Sequence, residues 1–130
     1  MKRYVFLLAA MVIAVSACRK DHNVSPGLFG KWELRRVYGG FAYFDSTYKA
    51  GNGNIYQFGS DSTYKLFIKN KLNAQGMFNV VKLIYGGSVS SGIVFNYTEN
   101  PEPFVFTGTK ITIGTSNDDG IASEYQKISN

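Results

Sequence analysis

The residues that could do chemistry in this 130-residue chain are few, and most of the nucleophile–base chemistry is excluded by count. There is one histidine, His22, and one cysteine, Cys18. A Ser/His/Asp or Cys/His relay needs a base beside its nucleophile, and a zinc site needs several nitrogen or sulfur ligands at close spacing; neither pattern is present. The acids fall in pairs, Glu99 with Glu102 around Pro101 and Asp118 with Asp119 before Gly120. Such pairs could hold a cation or act as acid and base, but their setting reads as solvated turns. Glycines are scattered, with no phosphate-cradling loop opening a helix. The reading is therefore no catalytic residue, no metal and no cofactor.

Aromatic side chains carry more information. Tyr56, Phe58, Tyr64, Phe78, Phe95, Phe104 and Phe106 lie in strand-like runs. They either line a cavity for a small apolar or ring-shaped ligand or fill a small core, since aromatics bury large areas. Phe41, Tyr43 and Phe44 lie in a stretch that reads as a loop running to Gly53. Exposed, they form a ligand or partner patch; folded inward, they form a lid.

The elements that must position these residues begin after a processing segment. Lys2 and Arg3 precede an apolar run, and small residues lead to Cys18, the pattern of a secretory signal over residues 1–17. The uncharged run Tyr4–Ala17 is shorter than the roughly 20 residues that span a bilayer. Val15-Ser16-Ala17-Cys18 resembles the bacterial lipobox. That resemblance implies cleavage before Cys18, acylation of its thiol and amino group, and membrane attachment through the lipid. Multiple chains give the stable anchoring that one chain does not. Arg19 differs from the aspartate that marks inner-membrane retention in such proteins, so the resemblance favours the outer membrane, facing either side. Loss of Lys2 and Arg3, with no acid, takes the net charge from +5 to +3. The remaining basic residues are dispersed, which speaks against nucleic-acid binding.

Residues 18–27 are polar, contain Pro26, and read as a tether. From Leu28 to Asn130 the chain alternates β-like runs with turn clusters about every ten residues, the pattern of a sandwich or barrel. Lys31–Tyr38 places Trp32 and Leu34 on one face against Lys31, Glu33 and Arg35, then breaks at Arg36-Val37 as a bulge would. Asn54–Phe58 and Thr63–Lys69 flank the turn Gly59–Ser62; Tyr56 and Phe58 share one face of the first run, and Tyr64, Leu66 and Ile68 one face of the second, with Phe67 the exception on its polar side. Ala74–Leu83 is apolar on both faces, and Ile84–Ser91 reads as a Gly/Ser-rich loop. Gly92–Tyr97, Phe104–Thr107, Lys110–Gly114 and Ala122–Ile128 complete about eight strands. The expected fold is all-β, a small antiparallel up-and-down barrel, whose closure removes aggregation-prone edges.

Gly30-Lys31-Trp32 at the head of the first strand resembles the G-x-W motif of lipocalins. With Phe58–Tyr64 and a closing Tyr125-Gln126-Lys127-Ile128, the pattern is similar to short lipocalin-like lipoproteins of bacterial envelopes over most of Leu28–Ile128. The resemblance implies that Trp32 closes one barrel end and that Gly30 permits close backbone approach. The T-D-Y motif of the family has no counterpart. Lys127 is the nearest residue to the arginine that covers the Trp in that family. A lipocalin-like barrel implies a small hydrophobic ligand; the alternative is a filled barrel that binds an envelope protein through its loops. Asp45-Ser46-Thr47 and Asp61-Ser62-Thr63 resemble a bacterial O-glycosylation pattern and are expected in turns.

Overall fold

The structure, a computed structural model, describes residues 24–130; residues 1–17, read as a signal, and Cys18 and His22 lie outside the described residues. A short 3-10 helix, Pro26–Leu28, leads into nine antiparallel strands: β1 Gly30–Gly39, β2 Phe44–Thr47, β3 Ile55–Phe58, β4 Thr63–Ile68, β5 Lys71–Tyr85, β6 Ser88–Phe95, β7 Glu102–Phe106, β8 Lys110–Gly114 and β9 Ile121–Ser129. Each of β3 to β9 pairs with its successor, and β9 returns to β1, which pairs with β3. Eight strands thus close into an up-and-down barrel, with β2 as an additional strand. Among the described residues no helix is long and apolar enough to cross a membrane.

β1 organises the closure because both its edges are occupied. One edge pairs with β9 from Lys31↔Ser129 to Gly39↔Ile121. The other is shared: Gly30–Glu33 pair with β3, and Arg36–Gly39 pair with β2. Along the β9 edge the register shifts between Leu34 and Arg36, so Arg35 is the bulged residue, one position before the expected break. The extra residue reverses the inward–outward alternation beyond it. Leu34 faces in opposite Tyr125, Arg36 faces out opposite Glu124, and Val37 packs against the core.

Two stretches read as loops are strands. Phe44–Thr47 forms β2, because Arg36–Gly39 leave an edge that the returning chain pairs with. The Asp45-Ser46-Thr47 triplet is accordingly in a strand and not in a turn, whereas Asp61 and Ser62 do sit in the β3–β4 turn. Ile84–Ser91 is the end of a hairpin: β5 runs on to Tyr85, β6 starts at Ser88, and Gly86 and Gly87 connect them. Both glycines have positive φ, +54° and +84°, the backbone that a tight two-residue hairpin demands.

Alternating connections sort the loops to two ends. The 3-10 helix, the β3–β4 turn, the β5–β6 tip, the β7–β8 turn and the C-terminus lie at one end, the 3-10-helix end. The β1–β2 loop, the β4–β5 turn, the β6–β7 loop and the β8–β9 turn lie at the far end. The core between them comprises Leu28, Trp32, Leu34, Phe58, Tyr64, Phe78, Ile93, Phe104, Ile111, Ile113 and Tyr125, with Val24 packed against it.

Candidate functional site: interior, closed end and open rim

The interior is built from inward-facing aromatics on neighbouring strands, and they pack on one another. Tyr56 and Phe58 on β3 stack with centroids 5.5 Å apart. Tyr56 also stacks on Phe95 of β6 at 5.5 Å and meets Tyr125 of β9 edge-on at 5.2 Å. Phe95 lies 4.7 Å from Tyr64, and Phe58 lies 4.8 Å from Phe78. These separations are in the range of favourable ring pairs. Five of the aromatics singled out by sequence therefore converge on one stack, and Tyr125 joins them. Asn96 donates to the Tyr64 hydroxyl at 3.2 Å from the β6–β7 loop.

Burial raises the pKa of both Tyr56 and Tyr125, the latter to about 12. A raised folded value stabilises the fold fully below the ordinary tyrosine range, and that contribution is lost as pH rises through it. At roughly pH 11 both phenols should remain protonated in the folded chain and ionise only as the barrel opens. Phenolate absorbance followed beside far-ultraviolet dichroism checks this; ionisation of all tyrosines before any loss of strand signal would contradict it.

Phe106 is not in this stack. It sits at the 3-10-helix end, edge-on to Trp32 with centroids 6.0 Å apart. Trp32 is fully buried, and its indole N–H donates to the Leu28 carbonyl at 2.7 Å. The Lys127 ammonium lies 5.5 Å from the Trp32 ring centroid and donates to the Gly27 carbonyl at 2.8 Å. One lysine thus joins the last strand, the indole face and the 3-10 helix that leads into β1. Gly30 has φ +119°, and a Cβ there would fall 2.2 Å from the Ser129 carbonyl. Gly30→Ala should cost about 2 kcal/mol by strain alone, read as a lower urea midpoint with unchanged slope. An unshifted midpoint would contradict the close approach.

At the far end Phe41 and Tyr43 are 87% and 94% exposed, and Phe44 is half-exposed at the start of β2. They do not fold over the barrel as a lid. Phe44, Tyr43 and Tyr38 edge a shallow recess of about 410 Å³, open to solvent, with Asp118 and Asp119 on its other side. Arg36 stiffens the rim: its guanidinium makes a two-pronged contact with Asp45 at 3.0 and 2.8 Å and lies 4.5 Å over the Tyr38 ring. Asp118 and Asp119 have φ of +50° and +64° in the β8–β9 turn. Of the other acids, Glu102 opens β7 and Glu99 lies in the loop before it. Among the described residues no three of His, Cys, Asp and Glu gather into a metal-holding group.

The alternation places Glu33 on the face opposite Trp32 and Leu34. It does face outward, but it is 4% exposed. The chain between β2 and β3 folds back over it, fastened by Tyr48 N–H to the Arg35 carbonyl and Leu34 N–H to the Asn54 carbonyl. Gly51 and Gly53 donate their amides to the two carboxylate oxygens at 3.0 and 3.3 Å, and Arg35 pairs with one of them. Burial works to raise the Glu33 pKa, but Arg35 and the two amides together hold it below the usual carboxylate range. Gly51 and Gly53 take φ of +80° and +73°, which explains the spacing of two glycines in an otherwise polar loop.

No family model, curated protein or solved structure matches the chain.

Proposed function

We propose that the protein is a lipid-anchored, non-enzymatic interaction module of the bacterial cell envelope, a lipocalin-like barrel whose interior is filled and whose far rim binds an envelope protein. The ring-on-ring packing of Tyr56, Phe58, Tyr64, Phe78, Phe95 and Tyr125 carries this reading. Rings packed on one another in this way take up interior space that a bound ligand would otherwise fill. The recess between Ser25, Leu28, Val80, Ser91, Phe104 and Phe106 measures about 220 Å³, below the roughly 300 Å³ at which ligand sites begin. Phe41 and Tyr43 are the kind of exposed ring that anchors protein interfaces, and Arg36 beside them is the third residue type enriched there. Cys18 supplies the anchor, and the outer membrane is the proposed location.

A photo-reactive residue at position 43 tests this in living cells. One discrete cross-linked product is expected, and Phe41→Ala should diminish it. A smear unaffected by Phe41→Ala, or cross-linking only to lipid, would count against a protein partner. Palmitate labelling that persists in Cys18→Ala would overturn the anchor.

A further inference from the structure

The β5–β6 hairpin extends past the barrel wall at the 3-10-helix end, the tethered end of the proposed anchoring. β7 pairs with β6 only over Ser91–Ile93, and β4 leaves β5 at Met77. Leu83↔Ser90, Ile84↔Val89 and Tyr85↔Ser88 therefore form a two-stranded ribbon with no third strand, projecting about 10 Å at some 3.3 Å per residue. Cross-strand pairs continue the barrel's inward row: Phe78/Phe95, Val80/Ile93, Lys82/Ser91, then Ile84/Val89. The last pair sits past the polar pair Lys82/Ser91, beyond the point where the barrel closes, so its two apolar side chains meet no opposite wall. Ile84 is 75% exposed, Tyr85 89% and Val89 67%.

The ribbon also stands beside the place where the tether enters. Ser25 and Ser91 line the same recess, and Val24 is buried against the core. Six peptide steps join Cys18 to Val24, a reach of at most about 20 Å. The intervening Arg19-Lys20-Asp21-His22-Asn23 is too polar to cover Ile84 and Val89. No Asp or Glu occurs between Asp61 and Glu99, and Lys82 is the one charged residue from Phe78 to Phe95. An apolar finger without carboxylates, carrying a tyrosine at its tip, suits the interfacial layer of a bilayer, where amphipathic rings settle.

We infer that the β5–β6 tip inserts Ile84, Tyr85 and Val89 into the lipid surface beside acylated Cys18, fixing the barrel upright with its Phe41–Phe44 rim pointing away from the membrane. This rests on the anchor reading of Cys18. The test uses the full chain expressed in its host, purified from membranes and reconstituted in phosphatidylethanolamine–phosphatidylglycerol vesicles with brominated acyl chains. Tyr85→Trp and Tyr43→Trp are compared with the parent, whose Trp32 is buried; both sites are exposed enough to accept the ring. Mass spectrometry of the Cys18 peptide reports the anchor separately. Bromolipid quenching of Tyr85→Trp, with none for Tyr43→Trp, is expected on acylated protein. Equal quenching of the two, or none, on acylated protein overturns the inserted tip and leaves the anchor standing. A Tyr85→Trp signal shielded from both bromolipid and aqueous iodide means a second copy covers the tip, and overturns the inference too. An unmodified Cys18 overturns the anchor and the inference with it.

Discussion

Trp32→Ala should destabilise the chain by about 3–5 kcal/mol, the range for removing a large buried aromatic. The indole is fully enclosed at the 3-10-helix end and performs three tasks at once. It fills the space between β1 and Phe106, it satisfies the Leu28 carbonyl, and it gives Lys127 an aromatic face. Alanine leaves a cavity and an unsatisfied acceptor under the 3-10 helix. Because typical domains are stable by only 5–15 kcal/mol, this variant should unfold at a much lower urea concentration. Trp32→Phe should recover part of the loss, since it restores volume but not the N–H donor. A Trp32→Ala midpoint within error of the parent would mean that the 3-10-helix end is closed by other contacts.

Glu33→Ala should cost about 3 kcal/mol, in the range for breaking a buried ion pair by removing one partner. It would strand the Gly51 and Gly53 amides under the β2–β3 segment and leave Arg35 uncompensated. Glu33→Gln should recover only part of this, because the amide keeps one acceptor oxygen and loses the charge. The same carboxylate gives a pH signature. Its folded pKa is lowered, so its stabilisation is fully present above the ordinary carboxyl range and is lost as pH falls through the lowered value. The parent should therefore lose more stability between roughly pH 5 and pH 3 than Glu33→Gln does. Parallel pH–stability curves for the two would contradict a buried, charged Glu33.

Both residues show what the sequence could and could not disclose. Trp32 is legible because the period of two from Trp32 to Leu34, after Gly30, places it inward on a strand. Strand alternation likewise puts Tyr56 with Phe58, and Tyr64 with Leu66, on one face of their strands, and the structure pairs the two sets across β3 and β4. Glu33 was not legible, because alternation assigns a face and cannot tell whether a loop will cover it. Gly51 and Gly53 were the available signal, two positive-φ positions two residues apart whose amides must point at something. β2 was hidden for a related reason. Phe44-Asp45-Ser46-Thr47 has the composition of a turn and becomes a strand through pairing with Arg36–Gly39, a contact set by how β1 outreaches β3. At Ile84–Ser91 the Gly-Gly pair was a hairpin signal, obscured by the serines around it. The aromatics could be assigned to the inside from sequence. Whether they would enclose space or one another depends on which strands curl together, and that is a property of closure.

The proposed function requires a barrel filled by its own side chains, with recognition at its ends. Native mass spectrometry of the full chain, released from host membranes in mild detergent, tests this most directly. The predicted mass is that of the polypeptide with its covalent acyl groups and no stoichiometric small molecule. One equivalent of an extractable apolar ligand, displaced together with a change in Trp32 emission, would contradict it.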